Sequence, residues 1–398
     1  MSDASLNPTA TDRWMLPEGI EEVLPPGAWQ LESLRRRLLD VYQRWGYQLI
    51  VPPLAEFLDS LLTGVGHDLD LKTFKLTDQL SGKMMGIRAD MTPQAARIDA
   101  RQPGNGIRRY CYIGSTLLTR PKGVNGSRAP VQVGCELFGS DALAADAEVV
   151  CLMLHSLEAC GVPATHLELG HMGVYRALLA RTGISEAETV ALFEALKRRS
   201  IPDVDHLSAS LPENERELIR ALPRLSGGLD VIGKARALLD HADLTAALDA
   251  LEQVAQCVQK DFPDVDIHID LGELRGYTYH TGLTFSAYRS GMGSALAHGG
   301  RYDGVGASFG RPRPATGFSL DLRALLPLIQ AQATPPLAVL APAEGGEALE
   351  AAIRELRRTR PVIRRMPGDA LEDYSDSCDA MLTCKDGVWR PEPFSNRS

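Results

Sequence analysis

The chain has 398 residues, 44% apolar and 23% charged, and carries a formal net charge of −9 from 42 Lys and Arg against 51 Asp and Glu. That length suggests two or three domains; the composition is that of a soluble globular protein, and no apolar run reaches the ~18 residues a membrane span needs. The acidic balance disfavours non-specific binding to a polyanion, which draws its affinity from clustered Lys and Arg, and seven cysteines without a C-x-x-C pair argue against a disulfide framework or a zinc ribbon and for a reducing cytosol.

Residues 1–14 are polar and aperiodic, are expected to form a mobile arm, and lack the basic and apolar regions of a secretory signal. Pro26 opens a predicted helix, with Trp29, Leu31, Leu34, Leu38, Val41, Tyr42 and Trp45 at three- and four-residue spacings and Gly46 as its stop. Leu49-Ile50-Val51 reads as a buried strand cut off by Pro52-Pro53. Thr73–Leu76 and Met84–Arg88 read as a hairpin around Ser81-Gly82. Thr92-Pro93 reads as an N-cap and first helical residue, opening a helix to about Asp99.

Arg108–Leu118 and Val131–Phe138 read as strands on either side of a basic, Gly- and Pro-containing loop. A helix follows over about Ala144–Cys160, then an alternating strand at 164–171. From about 173 to 260 only helices are predicted, as an insertion punctuated by Gly and Pro. Strands return at Val265–Leu271, Leu283–Tyr288 and Ser294–His298, the last two flanking the turn Gly291-Met292-Gly293. Gly317–Leu328 reads as a strand and helix. The expected division is an arm (1–14), a body (15–330), a linker (331–336) and a small α/β unit (337–398). Within that unit a strand is expected at Leu337–Leu340, a helix at Glu347–Arg358, and short strands near Val362 and Met381. The body, an antiparallel sheet with flanking helices, makes the fold class α+β. Neither G-x-G-x-x-G after a strand nor G-x-x-x-x-G-K-[ST] is present, so neither phosphate cradle is signalled.

Strand alternation puts Gln132, Gly134 and Glu136 on one face. Together with Asp90 and Thr92, that face suits a small molecule carrying an amine and a polar ring, because carboxylates accept from N–H donors while Gln and Thr orient. Tyr279 and Tyr302 would wall it. The competing reading is an ordinary solvated sheet face. The scattered histidines show no metal-ligand spacing, and no metal or cofactor is expected. Cys111 and Cys135 read as small core residues. The Arg354–Arg365 basic run is either a solvated helix face or a docking surface for an acidic partner.

Residues 15–330 resemble the histidyl-tRNA synthetase family of the class II synthetase fold. Gly46…Pro52-Pro53 is similar to the first class II motif, and Arg88-Ala-Asp90-Met-Thr92-Pro93 to the family's Arg-Pro-Glu-x-Thr segment. Gln132-Val-Gly-Cys-Glu136 resembles its Gln-x-Gly-x-Glu strand. Arg275-Gly276…Tyr279-His280 is similar to Arg-Gly-x-Asp-Tyr-Tyr, with Thr278 in place of the Asp. Gly299-Gly-Arg-Tyr302-Asp303 resembles Gly-Gly-Arg-Tyr-Asp.

The departures concern ATP. The Phe-Arg-x-Glu of the second motif is absent from Ser115–Pro121, where Arg120 offers only a partial substitute. The third motif's Gly-Leu-Glu-Arg is replaced by Asp321-Leu322-Arg323-Ala324. Losing one preorganised charge-stabilising group costs about 10²–10³ in rate, so loss of two predicts no aminoacyl activation. The tail is also shorter than the synthetase anticodon-binding domain, so no tRNA partner is expected.

A kept amino-acid pocket, a dismantled ATP site and a reduced tail together resemble the regulatory-subunit family of ATP phosphoribosyltransferase. The resemblance implies a cytoplasmic, non-catalytic partner of a short catalytic subunit at the first step of histidine biosynthesis. It implies a hetero-octamer built on a synthetase-like dimer, with histidine as inhibitory effector. It further implies that Asp90 and Glu136 contact the ammonium or imidazole N–H and that Thr92 and Gln132 orient the ligand. Arg275 would pair with the carboxylate, and Tyr279, His280 and Tyr302 would wall the imidazole. The alternatives are a divergent histidyl-tRNA synthetase and a paralogue that ligates an amino acid to a non-tRNA acceptor.

Overall fold

A computed structural model of the chain describes residues 14–64, 66–121, 126–180, 182–238, 242–273, 279–329 and 337–393. The chain divides into two compact units, one of Met1–Val23 with Gln30–Ile329 and one of Leu24–Trp29 with Gln330–Ser398.

The elements up to the first large sheet strands are α1 (Gly27–Arg44), β1 (Gln48–Leu49), β2 (Ala55–Phe57), α2 (Leu58–Leu61), α3 (His67–Lys72), β3 (Phe74–Thr77), β4 (Met84–Ile87), α4 (Thr92–Arg101), β5 (Arg108–Ser115) and β6 (Val131–Phe138). Then come α5 (Leu143–Ala159), β7 (His166–His171), α6 (Met172–Ala180), α7 (Glu186–Lys197), α8 (Ile201–Leu207), α9 (Glu213–Ala221), β8 (Ser226–Gly227), α10 (Asp230–Leu238) and α11 (Ala242–Asp261). The first unit closes with β9 (Asp266–Asp270), β10 (Leu283–Tyr288), β11 (Ala297–Arg301), β12 (Ala315–Asp321) and α12 (Leu322–Leu325).

Its main sheet has the order β1-β5-β6-β12-β11-β10-β7-β9-β8. It is antiparallel except for the pairs β1/β5 and β7/β9. Alternation gives the sheet two unlike faces. One carries Val133, Cys135, Leu137, Phe318, Leu320, Phe285, Ala287, Leu167, Leu169, Ile267 and Ile269, all buried. Against it lies α5, apolar nearly all round and packed on β6, β10, β11, β12 and α11, as expected for a helix enclosed between layers.

The other face is polar and glycine-rich. In register across it run Glu136, Gly317, Gly300, Thr284 and Gly170, and beside them Gly134, Ser319, His298, Ser286 and Glu168. A sheet that is apolar on one side and polar on the other positions ligand-binding groups without cost to the core.

The second unit contains β13 (Ala338–Ala341), α13 (Gly346–Leu356), β14 (Val362–Arg364), β15 (Cys378–Lys385) and β16 (Val388–Pro393) in the order β14-β13-β15-β16. Leu349 and Ile353 of α13 bury against Val339, Ala341, Ala380 and Leu382. The strand β16, paired antiparallel with β15, lies outside the strands expected from the sequence; it carries Pro391 and Pro393, which an edge strand tolerates. The arginines of this unit are largely engaged, Arg358 with Glu355 at 2.8 Å, Arg360 with Asp379 and Arg364 with Glu350.

Four local expectations change. The run at 49–51 is no buried strand; β1 has two residues, and Leu49 and Val51 are 52% and 84% exposed. It lies at the sheet margin with only β5 beside it, so apolar content alone misplaced it. The helical insertion includes β8, which pairs with β9, and two residues carry no periodicity to detect. The hairpin of β3 and β4 gains β2 as a third strand. Thr92 is the first residue of α4 rather than its cap, with Met91 at the cap position. The Asp90 carboxylate accepts from the Thr92 N–H at 3.0 Å, which frees the threonine hydroxyl for the site. The expected arm, except Trp14, and the linker at 331–336 lie outside the described residues.

Candidate functional site

Glu136 is the centre of the polar face. It stands on β6 between Tyr110 of β5 and Gly317 of β12, and only 1% of it is exposed. Two phenols donate to its carboxyl group: Tyr112 Oη to Oε1 at 2.8 Å, and Tyr302 Oη to Oε2. Thr92 Oγ1 lies 2.9 Å from Tyr112 Oη, extending the chain of hydroxyls to α4.

The sheet makes room for these groups by omitting side chains. A Cβ on Gly317 would come within 1.6 Å of Glu136 Oε2, and one on Gly134 within 2.3 Å of the Tyr112 phenol.

At the rim, Gln132 Nε2 donates to Asp90 Oδ1 at 2.6 Å, and Gln132 Oε1 accepts from the Met91 N–H at 2.9 Å. The Asp-x-Thr segment is thereby locked to the strand that carries Glu136. Both Asp90 and Gln132 are half-buried. The aromatic wall is Tyr279 stacked on Tyr302, with ring centroids 5.0 Å apart, and Phe138 edge-on to Tyr302 at 6.3 Å. Tyr279 Oη is buried without a hydrogen-bond partner among the described residues, which is costly unless something else supplies one. His280 sits edge-on to Tyr279 at 5.4 Å. Its ring lies over Gly300, where a Cβ would approach His280 Cδ2 to 2.8 Å.

Burial pushes the Glu136 carboxyl up to about 8, against the opposing influence of the Tyr302 and Tyr112 hydroxyls. Burial, reinforced by the Glu136 charge, also raises the Tyr112, Tyr279 and Tyr302 phenols well above their ordinary value. A carboxyl group that changes charge near neutrality, surrounded by phenols that do not, recognises N–H donors and is sensitive to whether they are charged.

Of the residues expected here, Asp90, Thr92, Gln132, Glu136, Tyr279, His280 and Tyr302 are brought together; Arg275 lies outside the described residues. Tyr112 was overlooked. The available signal was register: alternation along Arg108–Leu118, paired with Val131–Phe138, sets Tyr112 opposite Gly134.

Three charged residues in the same motifs do other work. Arg88 donates to the Ser115 and Pro52 carbonyls at 2.9 and 2.6 Å. Arg301, next to Tyr302, faces the apolar side and pairs with the buried Asp146 of α5 at 2.9 Å. Asp321 caps α12 through the Arg323 N–H at 3.0 Å and also accepts from the Val131 N–H at 3.1 Å. Among the described residues no cluster of His, Cys, Asp or Glu could hold a metal, all seven cysteines are free, and no helix is long and apolar enough to cross a membrane.

Comparison with known proteins gives the chain a family. A model described as Histidyl-tRNA synthetase matches residues 19–325, and one described as ATP phosphoribosyltransferase subunit HisZ C-terminal domain matches residues 335–392. The protein named ATP phosphoribosyltransferase regulatory subunit in Marinobacter nauticus is 51% identical over 97% of this chain and 100% of its own length. The like-named protein of Hahella chejuensis is 48% identical over 97% of each. The chain belongs to the ATP phosphoribosyltransferase regulatory subunit family.

The solved structures agree on the fold. A Bacillus halodurans protein described as an ATP phosphoribosyltransferase regulatory subunit/histidyl-tRNA synthetase superposes with a TM-score of 0.81 at 24% identity, covering 93% of this chain and 98% of its own. A histidyl-tRNA synthetase from Nostoc sp. PCC 7120 does so with a TM-score of 0.75 at 18% identity, covering 93% and 91%. The regulatory subunit is thus a synthetase-like α+β body followed by a small α/β unit of the family's own type.

Proposed function

We propose that this regulatory subunit assembles with a short catalytic subunit of ATP phosphoribosyltransferase in the cytoplasm, supports its activity at the first step of histidine biosynthesis, and lowers that activity when histidine occupies the Glu136 site. The observation that carries the reading is the buried carboxyl of Glu136 held among Tyr112, Tyr302 and the hydroxyl of Tyr279, which has no partner among the described residues. An imidazole N–H replacing one tyrosine hydroxyl on Glu136 would find both an acceptor oxygen of the carboxyl group and stacked aromatic walls. The ammonium group would lie toward Asp90 and Gln132 at the half-open rim, with Thr92 orienting and Arg275 assigned to the ligand carboxylate.

Feedback then follows from linkage: histidine must bind the inhibited assembly more tightly than the active one. A hetero-octamer on a synthetase-like dimer is part of the same proposal; the exposed Leu49 of β1 and nearby Val51 suit burial by a second copy. Adenylate chemistry has no place in it, because Ala324 stands where the synthetase has its phosphate-binding Arg and Asp321 is committed to capping α12.

The test is inhibition of the reconstituted complex. Glu136→Ala is expected to assemble normally and support catalysis while losing inhibition by histidine. Inhibition at the wild-type histidine concentration would refute the site assignment, and a catalytic subunit indifferent to this chain would refute the function.

A further inference from the structure

The same polar sheet face carries a second recess, of about 420 Å³. It lies beyond His280 from Glu136. The row Glu136, Gly317, Gly300, Thr284 runs across the sheet in register, His280 covers Gly300, and His280 and Thr284 both line the recess. Its volume is at the small end of the roughly 300–1,000 Å³ typical of ligand sites.

The lining has opposite charges and unused hydroxyls. Glu168, which also accepts from Tyr288 Oη at 3.4 Å, and Glu273, itself already engaged, supply carboxylate oxygens that can accept further bonds, and Lys72, from the end of α3, supplies an ammonium group that has no ion pair among the described residues. Thr284 is only 8% exposed. Its hydroxyl, like that of Ser286, has no hydrogen-bond partner among the described residues, a state that favours an incoming polar ligand. A simple anion would meet two carboxylates here, and a simple cation would meet Lys72. A molecule carrying both charges satisfies both sides.

We propose that this recess binds a small zwitterion of the α-amino-acid class. The ammonium group faces Glu168 and Glu273, the carboxylate faces Lys72, and Thr284 and Ser286 complete the hydrogen bonds. The site is separate from Glu136, and the proposal does not depend on histidine acting there.

The experiment is calorimetric titration of the full-length chain with the common L-amino acids singly, followed by the methyl ester and the N-acetyl derivative of the tightest binder. At least one free amino acid is expected to bind, and blocking either charged end to weaken it about tenfold or more, the scale of one lost charge-assisted hydrogen bond. Lys72→Gln should weaken the free acid about tenfold yet leave the methyl ester within about twofold, and Thr284→Val should weaken both. Lys72 is half-exposed, so that variant retains the fold. Glu136→Gln, at the other site, should leave this binding within about twofold. No binding by any free amino acid overturns the proposal. So does binding that survives both Lys72→Gln and Thr284→Val but is lost in Glu136→Gln, which would assign the ligand to the Glu136 site alone.

Discussion

Tyr112 occupies the space that a side chain at position 134 would need: a Cβ built on Gly134 would lie 2.3 Å from both Cζ and Oη of the Tyr112 ring. The tyrosine in turn holds Glu136 at 2.8 Å. One absent methyl group on β6 therefore sets the position of the phenol that binds the central carboxyl.

Gly134→Ala is expected to destabilise the chain by about 1–3 kcal/mol, the usual cost of overpacking a filled interior, and to disturb ligand binding at Glu136. Urea unfolding reads the first effect. In a Tyr112→Ser background the Gly134→Ala cost should largely vanish, because the obstructing ring is gone. An unchanged cost would place the strain elsewhere.

Glu136 makes stability fall toward alkaline pH. Its carboxyl titrates at about 8 in the fold against an ordinary value of 4.5. Between those values the folded chain retains a proton that the unfolded chain has lost, so stability declines as pH rises through that window and levels off above it. Glu136→Gln, which keeps the shape and removes the titration, should flatten this limb in denaturation curves measured across the window.

His171 acts on the acid side. Burial, aided by the Arg301 charge, pulls it down to about 4 from 6.5, and its Nδ1 accepts from the Gly173 N–H at 3.0 Å. The unfolded chain binds the proton first as pH falls, so the stability present above about 6.5 is lost progressively toward about 4. His171→Asn should flatten the acid limb and leave the Glu136 limb in place.

Arg301 and Asp146 form a buried pair, with side chains 9% and 2% exposed. Removing the cation alone by Arg301→Ala should cost about 3–5 kcal/mol, because it leaves the carboxylate uncompensated. Replacing both by Met and Leu should cost much less than that. A double-mutant cycle in urea checks the difference, and additive costs would refute the pairing as the cause.

Histidine-dependent exchange of pyrophosphate into ATP by the purified chain should stay at background. Exchange above background would show that Arg120 or another cation restores the phosphate site despite Ala324.

The strands bearing Glu136, Phe285 and Ile267 were legible because alternation marks a sheet that is apolar on one side only, and α5 was legible from its length and flanking Gly161. The edge strand at Gln48–Leu49, the two-residue β8 and the proline-bearing β16 were not, because pairing with a distant strand, rather than local pattern, makes them strands. Within the site, Asp90, Thr92, Gln132, Glu136, Tyr279 and Tyr302 were legible as motif residues. Tyr112 was not, because its role depends on register with Gly134.

The sequence by itself determined the two-faced sheet, the polar motifs and the departures at Asp321 and Ala324, since these reside in residue type and short-range spacing. Only the tertiary structure decided which way each motif residue faces and what it meets. Arg301 and Tyr302 are adjacent, yet alternation sends one into a buried ion pair with α5 and the other onto Glu136. The proton affinity of Glu136 was likewise decided there, because it is set by burial beneath tyrosines drawn from three strands and loops far apart in the chain.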